Sequence, residues 1–113
     1  MARTLINVPP NAKRGAVIEI RALLQHPMET GYRPGMDGKI LPRDIVKRFA
    51  CSFSDGASAS TPEPVFSAEL YPAIAANPYF SFYFVPSASG TLTFTWEGDN
   101  GFAQTETVAL KVA

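Results

Sequence analysis

His26 and Cys51 are the only histidine and the only cysteine in the chain, which makes them the first pair to consider for chemistry. A thiol becomes a nucleophile when a base stands beside it, and imidazole commonly serves. Cys51, however, lies in Phe49-Ala50-Cys51-Ser52-Phe53, sharing a strand face with two phenylalanines, where a thiol acts as a small hydrophobe of raised pKa. His26 ends an apolar run in Gln25-His26-Pro27-Met28-Glu29-Thr30-Gly31, and its ring is expected to fix that loop by hydrogen bonding to backbone. A lone histidine supplies one metal ligand. Glu29 and Asp37 would have to complete such a site without any ligand-spacing motif, so neither a metal nor another cofactor is expected. Glu29 and Glu69 could act as acid and base only if the fold joined them, and nothing in the sequence does so. Gly31, Gly35 and Gly38 lead toward a strand rather than from a strand into a helix, so they lack the context of a phosphate loop; Asp37-Gly38 predicts the tip of a small hairpin.

The elements that must position these residues are strands. Apolar residues recur with period two: Ile18, Ile20, Ala22 and Leu24; Phe49, Cys51 and Phe53; Phe66, Ala68 and Leu70; Phe80, Phe82 and Phe84. Leu92, Phe94 and Trp96 face one way and Thr91, Thr93 and Thr95 the other, which suits a half-buried strand because threonine fits a pleated outer surface. Gly98-Asp99-Asn100-Gly101 then predicts a turn and an antiparallel hairpin with the final strand. With residues 4–8 added, about seven strands are expected, which favours an all-β, immunoglobulin-like antiparallel β-sandwich. The paired cysteines and intervening tryptophan of a true immunoglobulin domain are missing, so this comparison concerns layers only. The best helical candidate is short, at residues 72–77, and residues 55–64 read as a mobile surface loop.

A length of 113 residues suits a single domain spanning residues 1–113, able to bury about two-thirds of its unfolded surface. Ten basic and ten acidic side chains cancel, leaving no field to attract nucleic acid or an anionic membrane. The N-terminus lacks the apolar core of a signal peptide, and no stretch approaches the roughly 20 residues needed to span a bilayer. On composition alone the chain reads as cytoplasmic and soluble. A cysteine count of one excludes an internal disulfide framework and a cysteine-rich zinc site.

Tyr79 and Tyr83 oppose Phe80, Phe82 and Phe84, so one strand carries large rings on both faces. The second face is either a contact surface or is covered by the long polar segment at residues 31–43.

Several blocks, in order and in register, resemble the sulfur-oxidation family SoxZ. They are His26-Pro27-Met28-Glu29-Thr30-Gly31, Asp37-Gly38-Lys39 followed by Pro42-Arg43, Phe66-Ser67-Ala68, the run Pro72-Ala73-Ile74-Ala75-Ala76-Asn77-Pro78-Tyr79-Phe80-Ser81-Phe82, and Ser89-Gly90-Thr91-Leu92-Thr93-Phe94-Thr95-Trp96. The resemblance covers the chain from about Pro10 to Val112 and departs from the family pattern in the long loop at residues 55–64. It implies a non-enzymatic subunit that forms a heterodimer with SoxY, whose glycine-rich C-terminal arm carries sulfur on a cysteine during thiosulfate oxidation. It further implies transient contact with other sulfur-oxidation enzymes, no cofactor, no nucleic acid or membrane partner, and a periplasmic location reached with the partner's signal peptide. Under this reading His26, Met28, Glu29, Thr30 and Arg33, together with Tyr79, Phe82 and Tyr83, are expected at partner contacts. The alternatives are a small sulfurtransferase using Cys51, or a generic immunoglobulin-like interaction module.

Overall fold

The computed structural model describes residues 3–9, 11–26, 28–54, 62–71, 77–86 and 88–112. Seven strands follow in chain order: β1 Thr4–Asn7, β2 Ile18–Leu24, β3 Val46–Ser54, β4 Glu63–Glu69, β5 Tyr79–Phe84, β6 Gly90–Gly98 and β7 Ala103–Leu110. They form two antiparallel sheets, one ordered β1-β2-β5 and the other β4-β3-β6-β7. The expected seven-stranded β-sandwich is therefore present. Among the described residues the only helical turn is a short 3₁₀ segment at Asp99–Gly101. The expected helix at residues 72–77 lies almost wholly outside the described residues, with only Asn77 inside them. No helix among them is long and apolar enough to cross a membrane.

The alternation read from the sequence is the alternation of burial. Ile18, Ile20, Ala22 and Leu24 point inward from β2, and Leu92, Phe94 and Trp96 point inward from β6. β3 breaks the pattern once. Val46 and Phe49 are both buried although three positions apart, and the ladder with β6 shifts register between Val46 and Arg48. A bulge there inserts one residue, so Lys47 and Arg48 both face solvent while the core phase is restored at Phe49.

Phe49 is the centre of the core. Its ring stacks on Phe80 at 4.6 Å and lies 5.2 Å from Trp96, 6.1 Å from both Phe66 and Phe82, and 6.4 Å from Phe94. Phe80 and Phe82 belong to one sheet, and Phe66, Phe94 and Trp96 to the other. Dispersion and burial at this one ring thus hold the layers together.

The loop at residues 55–64 is shorter than the sequence suggests at its C-terminal end, because β4 already begins at Glu63 and Pro64 pairs with Ser52. Proline is tolerated there because β4 is an edge strand. Residues 55–61 lie outside the described residues.

Candidate functional site

The segment after β2 is held by reciprocal bonds. The His26 backbone N–H donates to Asn77 Oδ1 at 3.0 Å, and the Asn77 N–H donates to the His26 carbonyl at 2.8 Å. His26 Nδ1 accepts the Met28 N–H at 3.0 Å, its ring meets Phe102 edge-on at 5.2 Å, and Nε2 stands 3.7 Å from Asp44 Oδ1. The histidine therefore fixes its own loop through backbone, as expected. It is also buried, at 6% exposure, and so is Met28, at 4%. Met28 adopts φ 51°, which turns its side chain inward so that Sδ accepts the Val46 N–H at 3.2 Å. Neither residue can meet a partner directly. The partner-contact expectation for His26 and Met28 is corrected to a supporting one, since burial among Phe102 and β3 removes both from the surface.

Glu29, Thr30 and Arg33 remain at the surface or close to it. Glu29 exchanges backbone bonds with Asp44 at 2.7 and 2.8 Å, and its carboxylate receives the Arg33 guanidinium at 2.6 Å. That hydrogen bond holds the Glu29 carboxyl below its ordinary pKa. Thr30 Oγ1 accepts the Tyr32 N–H at 3.2 Å. Residues 33–41 form the small hairpin predicted from Asp37-Gly38: Leu41 N–H donates to the Arg33 carbonyl, Gly35 N–H to the Lys39 carbonyl, and Gly38 takes φ 80° at the tip.

Asp99 reads in the sequence only as a turn residue, yet it anchors this end of the sandwich. It accepts Arg43 Nε and Nη2, both at 2.9 Å, and the Ile45 N–H at 3.2 Å. The Arg43 guanidinium is the main cause of its depressed pKa. The partners are more than fifty positions apart in sequence, so no local pattern announces them.

Tyr79 and Tyr83 stand on the outer face of the β1-β2-β5 sheet, 54% and 68% exposed. Residues 31–43 do not fold over them; that hairpin is tied instead to Glu29 and Asp99. Leu5, Leu23 and Tyr79, with Asn7 and Arg21, line a shallow groove of about 420 Å³ on the same face. The charges there are neutralised internally, since Glu19 accepts from Arg21 at 2.9 Å and from Ser81 Oγ at 2.7 Å. An apolar, aromatic and locally neutral face of this kind suits protein contact. Phe82 is not part of it. It points into the core, 6% exposed and stacked on Phe66 at 4.7 Å, because it alternates with Ser81 and Tyr83 along β5, so its expected partner contact is corrected.

Cys51 is buried between the sheets, and burial pushes its thiol from 9.0 up to about 12. It and His26 are engaged in separate surroundings, the one among core phenylalanines and the other against Phe102 and Asp44. Glu29 is taken by Arg33, and Glu69 accepts from the Tyr71 hydroxyl at 3.4 Å. Among the described residues no three His, Cys, Asp or Glu side chains cluster to hold a metal. The native chain is expected to resist alkylation by iodoacetamide at pH 8, with Cys51 reacting fully only after denaturation; a mass increase within minutes on the folded protein would contradict this.

The model of the family "Sulphur oxidation protein SoxZ" matches residues 6–109. No curated protein matches this sequence. Solved structures with the same fold include a superoxide reductase (neelaredoxin) from Ignicoccus hospitalis, with TM-score 0.79 and 16% identity, covering 99% of this chain and 82% of that one. The sulfur carrier protein SoxY from Chlorobium limicola f thiosulfatophilum gives TM-score 0.66 and 14% identity over 97% and 78% of the two chains. The superoxide reductase from Archaeoglobus fulgidus gives 0.67 and 18% over 96% and 88%. At these identities the likeness concerns the fold alone.

Proposed function

This chain belongs to the SoxZ family of sulphur oxidation proteins, and from that membership we propose that it is the non-catalytic subunit of a SoxYZ carrier complex. It binds SoxY and presents the SoxY cysteine that carries sulfur during thiosulfate oxidation. The observation that carries this reading is the family match along residues 6–109, in a chain whose one thiol is buried. The outer face of the β1-β2-β5 sheet, with Leu5, Tyr79 and Tyr83, is the SoxY-binding surface. Glu29, Thr30 and Arg33 form a second, polar recognition patch for the enzymes that load and unload the arm, placed on a strand end as recognition residues commonly are. Under the same proposal the complex works in the periplasm, and this subunit is exported with its partner.

The test is co-purification with SoxY followed by intact-mass analysis after turnover of thiosulfate. The sulfur increment is expected on SoxY and none on this chain. Leu5→Glu is expected to weaken SoxY binding at least about tenfold, because a charge would be buried unpaired in the contact, while leaving the isolated chain folded. A sulfur adduct on Cys51, or a Leu5→Glu chain that binds SoxY normally, would refute respectively the carrier assignment and the surface.

A further inference from the structure

The four strand edges of the sandwich differ in how they treat an incoming strand. β1 is only four residues long. β4 carries Pro64 and a register shift opposite Cys51 and Ser52. β7 pairs Glu106 with Phe94 and Gln104 with Trp96, so both polar side chains turn toward the inner face. Shortness, proline, bulges and inward-pointing charge all discourage another chain from adding to a sheet. β5 has none of these. Tyr79-Phe80-Ser81-Phe82-Tyr83-Phe84 contains no charge and no proline, and its ladder with β2 runs without a shift.

The direction of its free backbone groups follows from the ladder. Leu24 N–H donates to the Pro78 carbonyl at 3.1 Å, next to the pair Leu23↔Tyr79. Bonded and unbonded pairs alternate in an antiparallel ladder, so Phe80, Phe82 and Phe84 turn their N–H and C=O groups toward β2. Tyr79, Ser81 and Tyr83 therefore turn theirs away from β2, to an edge at which no other described strand pairs. The segment Tyr79-Phe80-Ser81-Phe82-Tyr83 is also a palindrome centred on Ser81.

We propose that β5 pairs antiparallel with β5 of a second copy of this chain, across a two-fold axis at Ser81, merging two three-stranded sheets into one. Ser81 then opposes Ser81, Tyr79 opposes Tyr83, and Phe80 opposes Phe82. All three residues with edge-facing groups fall at bonded positions, and the exposed tyrosines gain aromatic cross-strand neighbours. A slip of one residue would set core phenylalanines against outward tyrosines. A slip of two in one direction sets Tyr83 opposite the turn at Asn77, whose φ of 56° is not extended, and in the other sets Tyr79 opposite Val85, beyond the end of β5 at Phe84. Such an isologous contact closes on itself and adds no further copies. It uses the backbone edge of β5, whereas SoxY is assigned to side chains of the outer face, Tyr79 and Tyr83 being common to both, and it does not rest on the SoxY reading.

The test is sedimentation of the full chain, alone and bound to SoxY, with the expectation of two copies of this chain per particle. Ser81→Lys sets two ammonium groups opposite each other and is expected to weaken self-association at least about tenfold, as is Ser81→Glu with two carboxylates. Mixing the two variants is expected to restore it, because only across this axis does residue 81 meet residue 81. Circular dichroism checks that each variant is folded; within its own sheet the introduced ammonium has the Glu19 carboxylate beside it, and the introduced carboxylate has the Arg21 guanidinium. One copy per particle in every wild-type preparation, or a mixture that stays unassociated, would overturn the proposal. SoxY binding is not the readout for these variants, because Ser81 shares the outer face with Tyr79 and Tyr83; a failure of Leu5→Glu to disturb SoxY leaves the pairing standing.

Discussion

Replacing Phe49 by alanine is expected to destabilise the chain by about 3–5 kcal/mol, the usual loss when a buried phenylalanine is truncated. Domains of this kind are stable by only about 5–15 kcal/mol, so the variant should populate the unfolded state readily. The size of the effect follows from where the ring sits. Phe49 is fully buried and touches aromatic rings from both sheets, with Phe80 stacked at 4.6 Å on one side and Trp96 at 5.2 Å on the other. The void left by alanine would open between layers whose backbones are fixed by their ladders and cannot collapse inward. Urea unfolding followed by tryptophan fluorescence measures it, since Trp96 reports on the same cluster. A midpoint equal to that of the unaltered chain would show that the layers are held elsewhere. Phe49→Leu, which keeps most of the volume, should lose much less.

The second large effect is expected at Gly98. Its φ of −155° is ordinary extended backbone, so alanine would suffer no conformational penalty. The difficulty is contact. A Cβ at this position would stand 2.5 Å from the Ile45 carbonyl oxygen and 3.1 Å from Val46 Cα, and backbone atoms cannot swing aside as a side chain can. β3 would have to move where it bulges, disturbing the Asp99 N–H bond to the Ile45 carbonyl at 2.9 Å and the Asp99 carboxylate's hold on Ile45 and Arg43. Gly98→Ala is expected to lose about 1–3 kcal/mol, as overpacked sites do. Amide exchange at Ile45 and Asp99 should accelerate beyond the global change in stability. Unchanged protection there would mean that the two strands separate without loss.

The strands were legible because inward and outward residues alternate along most of their length, and the Asp37-Gly38 and Asn100-Gly101 turns were legible because each needs a residue at positive φ. Gly38, Asn100 and Gly101 do adopt it. The order of strands in the sheets was not legible, since period two fixes a face and not a neighbour. Phe82 is a different case: alternation already sets it on the face opposite Tyr79 and Tyr83, so a partner contact there goes against the pattern rather than beyond its reach. Met28 looked like a loop residue and is a core residue, because a single positive φ reverses its direction. Asn77 and Asp99 gave no sign of their anchoring roles. Both act on residues about fifty positions away, and a short polar side chain beside a turn reads locally as turn chemistry.

The burial of Cys51 has a further meaning when stated as a rate. With a pKa of about 12, only about one thiol in 10⁵ is ionised at pH 7. An ordinary exposed cysteine, with a pKa near 8.5, is ionised to about 3% at the same pH. The higher intrinsic nucleophilicity of a high-pKa thiolate returns part of that difference, but an electrophilic sulfur compound meeting both would still partition toward the exposed thiol, before the shielding of Cys51 by its neighbours is counted. In the proposed carrier complex, Cys51 would therefore accompany a reactive cysteine without competing strongly for its cargo, a selectivity that needs no recognition of the cargo.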